Sequence, residues 1–64
     1  MKGTVAAFDD AVGLGEIDGE DGRRVPFHCV EIADGSRTIL AGTAVEFALL
    51  PKLGRYEAAD IRPR

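Results

Sequence analysis

The chain has 64 residues, with 8 Lys and Arg against 11 Asp and Glu and a formal net charge of −3 at pH 7. That length supports one domain, residues 1–64, and excludes a second lobe or a deep cleft between lobes. Hydrophobic residues at 45% and charged residues at 30% match a globular chain rather than a disordered one. A domain this small buries only about 60% of its unfolded surface, so its core has to be economical. No stretch approaches the roughly 18–20 apolar residues of a membrane-spanning helix. Asp9 and Asp10 interrupt any leader-like apolar run. The expectation is a soluble, cytoplasmic domain without membrane contact. Cys29 is the single cysteine and cannot form a disulfide within the chain, so packing alone must hold the fold. The negative balance gives no global attraction to nucleic acid, so any polyanion contact has to be local.

The elements follow in chain order as short apolar runs punctuated by turns. Gly3–Phe8 is a first extended run, turned by Asp9-Asp10-Ala11-Val12-Gly13. Leu14–Ile17 is a second, closed by Asp18-Gly19-Glu20-Asp21-Gly22, whose Asp-Gly pair is a strong hairpin signal. Val25–His28 is a third. Val30–Ala33 lacks alternation and reads as one helical or 3₁₀ turn, ended by Asp34-Gly35. Thr43–Leu49 alternates, with Val45, Phe47 and Leu49 on one face. Pro51-Lys52-Leu53-Gly54 turns again, and Tyr56–Ile61 is the last run. Five short strands with turns about every ten residues predict an all-β barrel or sandwich. The predicted interior is Val5, Ile17, Val25, Phe27, Val45, Phe47 and Ile61, with Tyr56 outward. The basic tail Arg62-Pro63-Arg64 is expected to fray.

Strand alternation sorts the chemistry as well. If Ile17 faces the core, Gly15 does too, and Leu14 and Glu16 face outward. If Val25 and Phe27 face inward, Pro26 and His28 share the outward patch with them. His28 and Cys29 are adjacent and point apart, and no second Cys or other His completes a tetrahedral site, so no metal is expected. Cys29 lacks a separate base and reads as a small half-buried hydrophobe. Gly13-x-Gly15 opens a strand rather than a helix and is no phosphate loop. Asp9-Asp10 and Glu20-Asp21 sit in turns, where carboxylates cap backbone groups. No nucleophile, base and orienter set is present, so neither catalysis, a cofactor nor a small-molecule substrate is expected. Arg23, Arg24 and Arg37 are the phosphate candidates, with Glu20 and Asp21 placed to offset the first two.

Several of these segments carry a family likeness. Lys2-Gly3-Thr4-Val5 with Phe8, Gly13-x-Gly15-x-Ile17, and Asp21-Gly22-x-x-Val25 with His28 come first. Gly35-Ser36-Arg37-Thr38-Ile39, Gly42–Phe47 and Ala58-Ala59-Asp60-Ile61 follow in the same order. Together they resemble the bacterial cold-shock protein family over essentially the whole chain. The resemblance implies a five-stranded antiparallel OB-fold barrel. It also implies binding of single-stranded RNA or DNA, with bases stacked on aromatic rings of strands two and three.

The departures from that family fall on the ligand half of each strand. Ala6-Ala7-Phe8-Asp9 stands where the family reads Lys-Trp-Phe-Asn. Val12-Gly13-Leu14-Gly15-Glu16-Ile17 stands for Lys-Gly-Phe-Gly-Phe-Ile, and Val25-Pro26-Phe27-His28-Cys29 for Val-Phe-Val-His-Phe. Ser36 takes the place of the next loop's usual aromatic. A stacked base contributes roughly 1–3 kcal/mol, so losing several rings removes about 4 kcal/mol or more. That corresponds to about a thousandfold in affinity. The resemblance therefore implies weak, salt-sensitive nucleic-acid binding through Phe8, Leu14, His28 and Arg37. The alternative is a protein partner, met by an apolar centre of Leu14, Pro26 and Phe8 with Glu16 and the arginines as rim.

Overall fold

Period-two alternation of apolar and polar residues organises the whole computed structural model, which describes residues 1–64. Its strands are β1 Lys2–Asp9, β2 Leu14–Gly19, β3 Arg24–His28, β4 Ala44–Lys52 and β5 Arg55–Pro63. A 3₁₀ turn, Cys29–Glu31, follows β3. The strands form one antiparallel sheet in the order β3-β2-β1-β4-β5. The sheet curls until its two edges meet. After β3, Ile32 pairs in parallel with Ile61 of β5, and the Ala33 N–H donates to the Ile61 carbonyl at 2.8 Å. Closure of this kind removes the exposed edges that an open sheet presents to other chains.

The interior is apolar and small. Val5, Ile17, Val25, Phe27, Val45, Phe47 and Ile61 are all buried, as their alternation predicts. Ile32 and Ala58 complete the cluster, and Phe8, Cys29, Ile39 and Leu49 pack against it. Leu14 and His28 are exposed on the opposite side of their strands, as is Glu16. The observed 3₁₀ turn begins one residue earlier than the non-alternating run Val30–Ala33 predicts. The tail does not fray: Arg62 and Pro63 extend β5, and the Arg64 N–H donates to the Ala44 carbonyl at 2.9 Å.

Two irregularities change which side chains face where. In β1, Val5 is opposite Ile17 and Ala7 is opposite Glu16, so Ala6 is an extra residue. The bulge reverses the parity beyond it. Ala7 and Asp9 join the outward side, while Phe8 pairs with Gly15 and turns inward. In β5, Glu46 of β4 faces Arg62 and Ala48 faces Ala59, leaving Asp60 and Ile61 opposite Phe47 alone. Asp60 takes up the kink at φ 51°, in the left-handed region. This second bulge lets both Ile61 and Ala58 point into the core, and it turns Glu57 off the core face while leaving it buried.

Gly15 is the pivot of the inward row. It lies between Phe8 and Phe27 in the ladder. With no side chain there, the Phe27 ring lies over the Gly15 backbone and Phe8 stacks against it, centroids 5.8 Å apart and planes within 6°. A Cβ at Gly15 would lie 2.5 Å from Phe27 Cζ and 2.8 Å from the Ala7 carbonyl oxygen. Gly15→Ala is therefore expected to cost about 1–3 kcal/mol by displacing the Phe27 ring. Urea unfolding measures this, and an unchanged midpoint would show that the ring is not held there.

Candidate nucleic-acid interface

The outward side of β1, β2 and β3 is built in three cross-strand rows. Asp9, Leu14 and His28 form the first. Ala7, Glu16 and Pro26 form the second, and Thr4, Asp18 and Arg24 the third. The Leu14, Glu16, Pro26 and His28 patch predicted from alternation is thus assembled, with Asp9, Ala7, Asp18 and Arg24 as neighbours. Leu14 is 45% exposed. The imidazole of His28 is the only π face among these residues. An aromatic stacking platform is absent from this side of the sheet.

Phe8 is placed elsewhere. Alternation counted straight through β1 puts its ring beside Leu14 and Pro26, but the bulge at Ala6 sends it to the inner side, half-buried on Phe27. The apolar centre on the outward side is accordingly Leu14, Pro26 and Ala7, without Phe8. The residue across the ladder from Leu14 is Asp9, whose carboxylate accepts from the Ala11 N–H at 3.0 Å and closes the β1–β2 turn.

The electrostatics of the face are negative. Within these three rows three carboxylates, Asp9, Glu16 and Asp18, stand against one guanidinium, a net of −2 with His28 neutral, and Lys2 follows Thr4 on the same side of β1. That guanidinium is already engaged. Arg24 Nε donates to Asp18 Oδ1 at 2.8 Å and Nη2 to Oδ2 at 3.2 Å, a two-pronged pair, and Nη1 lies 3.7 Å from Glu16. The hydrogen bond from Arg24 holds the Asp18 carboxyl below the usual carboxylate range, so Asp18 stays charged well into mild acid. Arg23 pairs with Asp21 at 3.3 Å, one of the two offsetting carboxylates expected, while Arg24 is offset by Asp18 and Glu16. Asp18, which the sequence reading places in the hairpin turn, lies within β2, and the β2–β3 register sets it opposite Arg24.

Arg37 is free of any carboxylate. It sits in the loop between the 3₁₀ turn and β4 with φ 61°, bracketed by Ser36 and Thr38. The Asp34 carboxylate accepts from the Ser36 N–H at 2.9 Å, and that bond draws the Asp34 carboxyl below its ordinary range. Ser36 Oγ donates to the Thr38 carbonyl at 3.0 Å, and Thr38 Oγ1 donates to Asp10 at 2.7 Å. The last bond ties this loop to the β1–β2 turn, at the Asp9–Leu14 end of the face. Arg37 is therefore held near that end of the sheet. Of the eight basic residues, Arg23, Arg24, Arg55 and Arg62 are paired with carboxylates, which leaves Lys2, Arg37, Lys52 and Arg64 unpaired.

His28 reaches the other edge of the face, where β3 meets β5. Its Nε2 lies 3.7 Å from Glu57 Oε1. Glu57 is a contact that the sequence gives no local signal for, because it depends on the bulge at Asp60 and on closure of the sheet. Cys29 is half-buried, its N–H donating to the Gly13 carbonyl at 2.8 Å, and it packs on the core as a small hydrophobe.

Comparison with known proteins agrees with this architecture. The family model described as the 'Cold-shock' DNA-binding domain matches residues 1–64. No curated protein matches the chain. Among solved structures, the chain is similar to Drosophila Unr CSD456, at 29% sequence identity and a TM-score of 0.77. That alignment covers 98% of this chain and 26% of the other, so the domain spans about a quarter of the protein it matches. The family's fold is one that binds nucleic acid rather than one of catalysis. With its five antiparallel strands, and with the family model matched from the first residue to the last, the chain belongs to the cold-shock DNA-binding domain family.

Proposed function

We propose that this domain binds single-stranded RNA or DNA weakly, through the outward side of β1, β2 and β3 together with Arg37. The support for the ligand class is the family match over the entire chain. The support for weak binding is a single structural observation: the outward rows offer one imidazole as π surface and a guanidinium already bound by Asp18. In this reading His28 contacts a base, Leu14 and Pro26 supply apolar contact, and Arg37 meets phosphate. Stacking on leucine or proline lacks the π contribution of an aromatic, so sequence selectivity is low. Phosphate contacts by a few cations make the binding salt-sensitive.

A second reading, contact with a protein, is favoured by the same rows. Leu14, Pro26 and Ala7 form an apolar centre, and Asp9, Glu16, Asp18 and Arg24 form a charged rim. Such a face is closer in composition to a small protein interface than to a phosphate track.

Titration of fluorescently labelled oligo-dT and oligo-U at low salt separates the two. Binding tighter than about 100 μM that weakens with His28→Ala and Arg37→Ala is the expected result, while no binding at that concentration would falsify the nucleic-acid reading. Glu16→Lys replaces a repelling carboxylate with a cation and is expected to strengthen oligonucleotide binding about tenfold, with a steeper salt dependence. On the protein reading, a partner recovered with the wild type is lost with Leu14→Asp, and equal recovery by both rules out the patch.

A further inference from the structure

Glu57 is the one charged residue buried in the fold, and neither the barrel core nor the outward rows account for it. Its two oxygens do different things. Oε2 accepts from Arg55 Nη2 at 2.7 Å and from Arg55 Nε at 3.2 Å. Oε1 accepts no hydrogen bond from the chain and faces His28 Nε2 across the β3–β5 edge at 3.7 Å. The Glu57 side chain is 8% exposed, whereas those of His28 and Arg55 are 53% and 61% exposed. The carboxylate is held on Oε2, while Oε1 reaches the surface beside the imidazole with its acceptor sites open. The half-exposed imidazole is the group placed to donate to it.

We infer that Glu57 is a positioning residue for His28, fixing which ring nitrogen carries the proton and so what the imidazole offers a nucleic-acid base. This rests on the reading that the outward face binds single-stranded nucleic acid. A neutral imidazole has one N–H and one acceptor nitrogen, and a carboxylate can only accept. The nitrogen facing Oε1 must then carry the hydrogen, so Nε2–H points at Glu57 and Nδ1 is left as the acceptor for a base N–H. A ring shift of ~0.7 Å brings the 3.7 Å approach within hydrogen-bond range. Arg55 sets the carboxylate in turn, holding Oε2 so that Oε1 presents to β3. The other charged groups on this side of His28 are Asp9, two positions away in its own row, and Glu16 in the adjacent row. Neither lies within ion-pair distance of the imidazole, which leaves Glu57 as the controlling acceptor.

Two measurements test the role independently. Nitrogen-15 NMR of the imidazole at about pH 9, where an ordinary imidazole is neutral, reads the tautomer directly without any ligand. The wild type is expected to show the Nε2–H form almost alone. Glu57→Leu is expected to show a mixture of both tautomers, and Glu57→Gln, which keeps an acceptor oxygen, to restore the Nε2–H form. A mixture in the wild type, or the same tautomer share with and without the Glu57 carboxylate, overturns the inference even if Glu57→Leu folds poorly. Oligo-dT affinity forms the second arm. Glu57→Leu is expected to weaken it about threefold to tenfold in the wild-type background and to leave it unchanged in a His28→Ala background. Equal weakening in both backgrounds means that Glu57 does not act through His28. If no variant and not the wild type binds oligo-dT, the nucleic-acid reading fails by itself, and the tautomer still decides what Glu57 does.

Discussion

Contact between the Phe27 ring and the bare backbone of Gly15 is the constraint on which the rest of the barrel depends. It requires a residue without a side chain at position 15 and a flat ring at position 27. Once those two are inward, alternation sends Leu14, Glu16, Pro26 and His28 outward in one block. Phe8 then closes the row by stacking on Phe27. The same contact thus fills one end of the core and decides which side chains form the outer face.

The outer face follows from that division and is poor in aromatic rings and in unpaired cations. Stacking sites need rings, and phosphate tracks need free cations. Here the rows carry aliphatic carbons, three carboxylates and one guanidinium that is already hydrogen-bonded to Asp18. Of the free cations, Lys2 stands beyond Thr4 on the outer side of β1, and Arg37 is held at the opposite end by the Ser36 and Thr38 bonds. The family's fold is present, and its outward rows carry one imidazole ring and a net negative charge. Core and outward rows separate cleanly because they sit on opposite sides of the same strands.

Bulges explain why local patterns stop short of the full surface. One extra residue at Ala6 moves Phe8 from the outer to the inner side, and one at Asp60 moves Glu57 off the apolar core face, where it is still buried at the sheet edge. Each reverses every assignment beyond it in that strand. Neither has a signature in the apolar pattern: Ala6 lies in an unremarkable alanine pair, and Asp60 sits between two apolar residues. The positive φ of Asp60 is tolerated because aspartate adopts the left-handed region more readily than most residues. The His28–Glu57 approach exists only because the second bulge coincides with closure of the sheet.

Alternation, turn residues and the ordered family segments were enough, read from the sequence, to predict five strands, their order of appearance, seven interior residues and the outward block around Leu14. These are local properties, set by a period of two and by where Gly, Pro and Asp interrupt it. Ile32 and Ala58 in the core, the pairing of Arg24 with Asp18, the inward turn of Phe8 and the burial of Glu57 against His28 were decided by tertiary structure. Each joins segments whose contact depends on register, and register across a closing sheet is a property of all five strands at once.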